Sequence, residues 1–488
     1  MSEDAAEVLR AFDVSRESEQ KLRSFIDLLR DWQGKMNLVS KASMADVWTR
    51  HVADSLQLLR LMPQAPQAIA DLGSGAGFPG LAAAQRLIEA GLDVLVLEAR
   101  NRVGGRVESQ ENARGERIDT GGQFVCDDMV EVMALLRARG HRLVETRFDG
   151  VDVAQPPLSR SELGTTYKGS MAIRERMNAI SPGDPAIAGL SVAAWVESLP
   201  DPAAAKAAFR SMIEGLWCLS LDELPLWHLI DNDRRITNEQ HELQYFPDAT
   251  LHALAEDLAG DLGEAVRLSC PVSAIRPHAG GVTVVTEGGD TRARAVLVAL
   301  PPSMAARLSY EPALPQPLAR ALSVWKSGAV IKLVLRYPSA FWRDKGLSGV
   351  VMWRDPSGLF ACDTGRPDSP TLSAFVGGEI ALRWRERGLA WVRDEMLRRL
   401  TLALGPEAGA PLDAVLRDWS FDPWSGGAYS DLIVDIGATD AEVRLVEGCP
   451  PIHFACSEIS PSFPGYVEGA LVAGRLAAER VLTDLKRA

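Results

Sequence analysis

The sequence predicts an α/β fold built on a dinucleotide-binding βαβ unit and preceded by a short helical segment. Three observations carry that prediction. A glycine-rich stretch, Asp71-Leu-Gly-Ser-Gly-Ala-Gly-Phe-Pro-Gly80, opens a small-faced helix and then an apolar strand that closes on a carboxylate, Glu98. Upstream of it, apolar residues recur at helical spacing. Downstream, Val282–Thr286 alternates and Ala295–Leu300 runs apolar, as strands do.

Residues 1–66 come first. Leu22, Phe25, Ile26, Leu29 and Trp32 fall on one helical face with Lys and Arg on the other, Met36–Lys41 breaks the pattern, and a second helix begins at Arg50. The loop after this segment carries two overlapping signatures. Asp71, Gly73, Gly75 and Gly77 make D-x-G-x-G-x-G, the first loop of an S-adenosylmethionine methyltransferase; Gly75, Gly77 and Gly80 make G-x-G-x-x-G, the first loop of a dinucleotide-binding unit. Both need glycine because the chain turns sharply from strand to helix and the ligand approaches bare N–H groups at the helix N-terminus. The residues after Gly80 decide between them. Leu81–Gly91 is a helix ending on a glycine cap, and Asp93–Glu98 is a buried parallel strand. Glu98 lies 18 residues past Gly80, near the ~20 expected of the acid that holds ribose hydroxyls. In Ala99–Arg106, which includes Arg100, the pair Gly104–Gly105 lets backbone approach a pyrophosphate that Arg106 can neutralise.

The bulk properties narrow the class. A chain of 488 residues has room for two or three domains, and 47% hydrophobic with 24% charged residues is an ordinary soluble composition. The net charge of −13 argues against broad nucleic-acid binding. Cys126, Cys218, Cys270, Cys362, Cys449 and Cys456 form no C-x-x-C, and the seven histidines form no H-x-x-x-H pair, so reduced thiols and no metal are expected. The acidic N-terminus lacks the regions of a signal peptide, and no run of 18 apolar residues occurs, so the expectation is a cytoplasmic protein without a membrane partner.

The stretch from the glycine loop through Arg106 resembles the signature of the flavin-dependent amine oxidases of the monoamine oxidase family, and the resemblance runs from about residue 69 to the C-terminus. It implies an FAD-binding, Rossmann-like domain with a mixed α+β substrate domain inserted twice: FAD-binding parts at 67–145, 245–303 and 419–488, substrate parts at 146–244 and 304–418. The implied reaction is oxidation of an amine, with hydride transfer to flavin and return of the electrons to oxygen as hydrogen peroxide. Asp119-Thr-Gly-Gly-Gln-Phe124 matches the motif that brings Gly121 and Gly122 against the flavin, and Cys270–Ile275 the strand whose Val272 meets the adenine. Lys332 matches a buried lysine that holds a water beside the flavin's reactive nitrogen. Tyr429 and Tyr466 match the two tyrosines of the substrate cage. Glu458 falls in the closing F-A-G-x-E motif, and Val467 begins a helix aimed at the flavin. Ala428 stands where covalently flavinylated relatives have cysteine, so FAD is expected to be held non-covalently. Two departures stand out: Cys456 replaces a glycine, and Phe246–Thr250 lacks the usual glycine-rich turn. Trp217, Trp227 and His228 are candidates for a pocket or for core. Partners are an amine and oxygen, with nucleic acid not expected and a homodimer left open.

Residues 1–80 resemble the N-terminus of the small-subunit ribosomal RNA methyltransferase G family, through Trp32, Asn37, Leu38, Arg50, His51, Asp54, Ser55 and the glycine loop. That resemblance ends at Gly80, so 1–66 is read as a helical cap without chemistry. A flavin oxidase or desaturase of a non-amine, a ribosomal RNA methyltransferase and a catalytically silent flavin protein are the rival readings.

Overall fold

The computed structural model describes residues 68–72, 77–237 and 239–487, with Ile26 and Trp48 from the N-terminal part. The helices expected in 1–66 lie outside the described residues. The chain divides into two units, 1–67 and 68–488, and every described strand belongs to the second.

The organising element of that second unit is a five-stranded parallel sheet. The order is Ile452–Phe454, Ala295–Val298, Ala68–Leu72, Asp93–Leu97 and Val266–Arg267, so strands from four distant stretches lie side by side. A parallel sheet must be covered on both faces, which is why its strands read as apolar runs. Alternation sorts them. Ala295, Leu297 and Ala299 pack with Ala83, Leu87, Ala477, Ala478 and Val481 of two helices, Phe78–Glu89 and Val467–Arg487. Val296 and Val298 pack with Ile275, Val282 and Val284 of a four-stranded, mostly antiparallel sheet on the other face. The two helices touch backbone to side: a Cβ placed on Gly474 would lie 2.2 Å from the carbonyl oxygen of Pro79. Small residues there are a steric requirement.

The second body is a six-stranded sheet in the order Asp413–Asp418, Val330–Arg336, Thr371–Gly377, Leu359–Asp363, Leu347–Trp353 and Val151–Gln155. Its pairs are antiparallel apart from the last, which is parallel. Ile331, Leu333 and Leu335 pack with Val392, Met396, Leu400 and Leu404 of the helix Leu389–Leu404. The strand's period of two therefore turns Lys332 to the opposite face, directly across from Phe375.

The region 156–236 is helical, with the long helix Arg160–Ala179 closed at its start by a Ser159/Glu162 capping box. Asp184 and Ser191 each cap a short helix as their residue types favour. At the turn that lacks glycines, Thr250 takes φ of 105°, a conformation that L residues with a branched Cβ rarely hold. Among the described residues no helix is long and apolar enough to cross a membrane.

Candidate active site

One cavity of about 1690 Å³ runs between the parallel sheet and the second body. Its wall takes in Gly77, Glu98, Arg100, Gly104, Gly105, Arg106, Gly121, Gly122, Val272, Lys332, Tyr429, Tyr466 and Val467, so residues nominated from separate parts of the sequence meet around a single space. Gly75 lies outside the described residues. Gly80 is buried in the first turn of the helix behind the loop.

Glu98 stands at the end of the Asp93–Leu97 strand and is 3% exposed. One of its oxygens accepts from the Arg100 backbone N–H at 2.5 Å. Burial lifts its pKa to about 7 despite that bond and the nearby Arg100 and Arg102 charges. The Arg100 guanidinium turns away to Asp422 and the Ser425 hydroxyl, tying the loop after Glu98 to the segment that carries Tyr429. Gly104 and Gly121 are places where backbone crosses backbone: a Cβ would sit 2.4 Å from Val107 O and 2.3 Å from Arg106 O respectively.

Arg106 has protein partners that the sequence did not name. Its guanidinium grips the buried Glu458 at 2.5 Å and donates to the Tyr429 carbonyl at 2.8 Å and to Ser457. Its charge is met by Glu458, and from the cavity wall it ties the Gly104–Gly105 loop to the segment that carries Tyr429. Glu458, expected at the cofactor, stands behind Arg106 and forms no part of the cavity wall. Cys456 does reach the wall, and burial raises its thiol pKa well above the usual range, so it presents a neutral S–H.

At the other functional group, Lys332 is 2% exposed and donates to Gly121 O at 3.0 Å and Gln123 Oε1 at 2.8 Å. An ammonium has three N–H donors, so one remains. Burial pulls the Lys332 pKa down and pushes that of Asp119 up, each charge partly restoring the other. Asp119 is further held by the Leu251 N–H. Tyr429 packs on Cys218 and Trp419, and its ring stands edge-on to Phe375 at 6.4 Å. The Tyr466 hydroxyl donates to Glu242 at 2.5 Å, and burial together with that carboxylate holds the phenol protonated. Of the three aromatic candidates, Trp217 lines the cavity, whereas His228 is buried edge-on to Trp325 and the half-buried Trp227 stands against His228 and donates to Ile436 O. Asp119, Gln123, Phe375 and Glu242 were not singled out from the sequence. Asp119 and Gln123 lay in plain view within the Gly121–Gly122 motif, but Glu242 acquires its partner only by folding.

Among the described residues, polar groups on this wall are left with spare hydrogen-bonding capacity, Glu98 and the Trp217 indole among them. Glu98 has a carboxylate served by a single N–H, and the Trp217 indole N–H is buried without an acceptor. A carboxylate waiting for donors and a donor waiting for an acceptor fit an elongated ligand with sugar hydroxyls and ring carbonyls, as FAD is.

Comparison with known proteins agrees. Residues 78–167 and 189–482 match the family profile "flavin containing amine oxidoreductase". Residues 18–103 match "rRNA small subunit methyltransferase G", running past Gly80 and overlapping the first match. The chain is 31% identical over 460 residues to putrescine oxidase from Kocuria rosea, covering 84% of this chain and 94% of that protein. It is 26% identical over 441 residues to an L-amino acid dehydrogenase from Synechocystis, covering 84% and 93%. The structure of cyclohexylamine oxidase from Brevibacterium oxydans superposes with a TM-score of 0.79 at 25% identity, covering 86% of this chain and 99% of that one.

Proposed function

The chain belongs to the flavin-containing amine oxidoreductase family, and on that premise we propose that it oxidises a primary or secondary amine at the carbon bearing nitrogen. It is an oxidoreductase with FAD as cofactor. Ala428 carries no nucleophile, so no thioether can form there. The chemistry that flavin supplies when bound is acceptance of a hydride from the amine carbon and passage of those electrons to oxygen as hydrogen peroxide.

The observation that carries the reading is Lys332, a lysine buried in a strand of apolar residues and turned into the cavity that Tyr429 and Tyr466 also line. Burying an ammonium without a full partner is costly, so its place is functional. Its spare N–H would be free to hold a water beside the flavin when that is bound. Tyr429 and Tyr466 orient the amine by their ring faces and hydroxyls, and Phe375, Trp217 and Phe360 keep bulk water out. The imine leaves and hydrolyses in solution. Glu98, the Gly104–Gly105 turn and Val272 hold the cofactor's nucleotide half, and the discontinuous division at 67–145, 245–303 and 419–488 is the one we assign to its domain.

A yellow, flavin-loaded preparation that releases peroxide from an amine panel tests this. A loaded protein that reduces with no amine, yet with another donor, would move the assignment to a non-amine oxidase. RNA methylation is not proposed, because the strands Val266–Arg267, Ala295–Val298 and Ile452–Phe454 of the parallel sheet lie beyond the 18–103 match.

A further inference from the structure

Glu242 is a carboxylate on the cavity wall, placed on the very hydroxyl of Tyr466 that the oxidase reading puts beside the amine. We propose that Glu242 is the residue that recognises the cationic amine, so that the site selects amines and rejects α-amino acids. The inference rests on the amine-oxidase reading and goes further, because the relatives include both a putrescine oxidase and an L-amino acid dehydrogenase.

The surroundings decide the sign of the charge. A carboxylate-bearing substrate needs an unpaired guanidinium or ammonium. The nearest candidate is Arg174, 3.8 Å from Glu242. Its guanidinium is already engaged by the buried Asp233 through two bonds of 2.8 and 2.5 Å, and Asn178 donates to the same carboxylate. Arg174 and Asp233 cancel, leaving Glu242 as one net negative charge next to Tyr466. Of the other cations on the wall, Arg100 and Arg106 are paired with Asp422 and Glu458, and Lys332 is held by Gly121 O, Gln123 and the Asp119 charge. Arg160, Lys168 and Arg307 are exposed, where water screens them. Trp217 flanks the cage, since a Cβ on Gly465 would meet its ring at 3.2 Å. Its indole lines the cavity, and aromatic rings attract cations. An ammonium thus finds a carboxylate and aromatic faces; an α-carboxylate finds a like charge.

The test uses the FAD-loaded full chain and a matched pair, 3-methylbutylamine and leucine, which differ only in the α-carboxylate. The wild type is expected to favour the amine in kcat/KM by at least a hundredfold. Glu242→Gln, whose amide oxygen still accepts from Tyr466, is expected to raise KM for the amine tenfold or more with a smaller change in kcat. Binding without turnover is read by calorimetry with tetraethylammonium, which has no N–H to lose. Its Kd should weaken at least tenfold in Glu242→Gln and stay within a few-fold in Glu242→Asp, with FAD content unchanged in both. Unaltered tetraethylammonium affinity in Glu242→Gln, or wild-type oxidation of leucine as readily as the amine, overturns the inference. If Glu242→Gln does not fold, Glu242→Asp and the wild-type pair still decide. A wild type that oxidises neither substrate while its cation binding still depends on residue 242 defeats the oxidase reading and leaves this one standing.

Discussion

Glu98 is held where the chain gives it one N–H and little water, and that has a measurable cost in the flavin-free protein. Its pKa is about 7 in the fold against 4.5 for a free side chain. Between those values the folded state binds a proton that the unfolded state does not. This group's contribution is therefore fully present below about pH 4.5 and is lost as pH rises through about 7, by on the order of 3 kcal/mol. Melting curves of the apoprotein across that window should fall with pH, and Glu98→Gln should flatten them; an unchanged slope would remove Glu98 as the source. With FAD bound, Glu98→Ala should weaken affinity by roughly 1.5–3 kcal/mol, as for a hydrogen bond to a charged group. Lys332 and the tyrosines should separate in stopped flow. Lys332→Met should chiefly slow reoxidation by oxygen. Tyr429→Ala and Tyr466→Ala should slow anaerobic reduction, by as much as ~10²-fold for a donor displaced by ~1 Å. Equal slowing of both halves by every variant would mean general damage. Lys332 was legible because a lysine in an apolar strand announces itself. Glu242 was not, since its partner is 224 residues away, and the pairing of Glu458 with Arg106 spans 352 residues, beyond any local motif.

At the scale of elements, Thr250 shows how a departure from the family's glycine turn is accommodated. Its hydroxyl accepts from the Ala253 N–H and caps the helix Leu251–Leu262, while its φ of 105° stores strain. Thr250→Gly gives up a cap worth only a few tenths of a kcal/mol in that exchange and relieves strain of order 1–3 kcal/mol. The variant should melt higher, and a lower Tm would show that the cap dominates. Gly474→Ala tests the opposite case. Its methyl would drive into Pro79 O, so overpacking of about 1–3 kcal/mol should separate the two helices and lower both Tm and flavin content. The βαβ elements were readable because each combines a period with a boundary signal. The helix begins at Phe78, three residues before Leu81, because Pro79 fits a first turn that needs no N–H donor there. Between 146 and 244 the boundaries Asp184 and Ser191 were readable from their capping side chains, but the pairing of Val151–Gln155 with Leu347–Trp353 is a contact that no local pattern encodes.

For the whole molecule, acid precipitation should release yellow flavin to the supernatant, and colour retained in the pellet would reveal a covalent link elsewhere than Ala428. Deleting residues 1–66 should leave the flavin spectrum intact, because both helices and all five strands of the parallel sheet come from residues 68–487; loss of colour would show the N-terminal part to be integral. The order of strands in that sheet has one more implication, for synthesis. The glycine loop and Glu98 leave the ribosome early, but the edge strand Ile452–Phe454 and the helix that packs on Phe78–Glu89 come last. At about 5–20 residues per second, roughly 20–70 s pass between Leu97 and Ile452. Throughout that time the apolar edge of Ala295–Val298, once made, has no neighbour on one side, and a nascent chain arrested before residue 452 should be colourless, dependent on chaperones and quickly degraded.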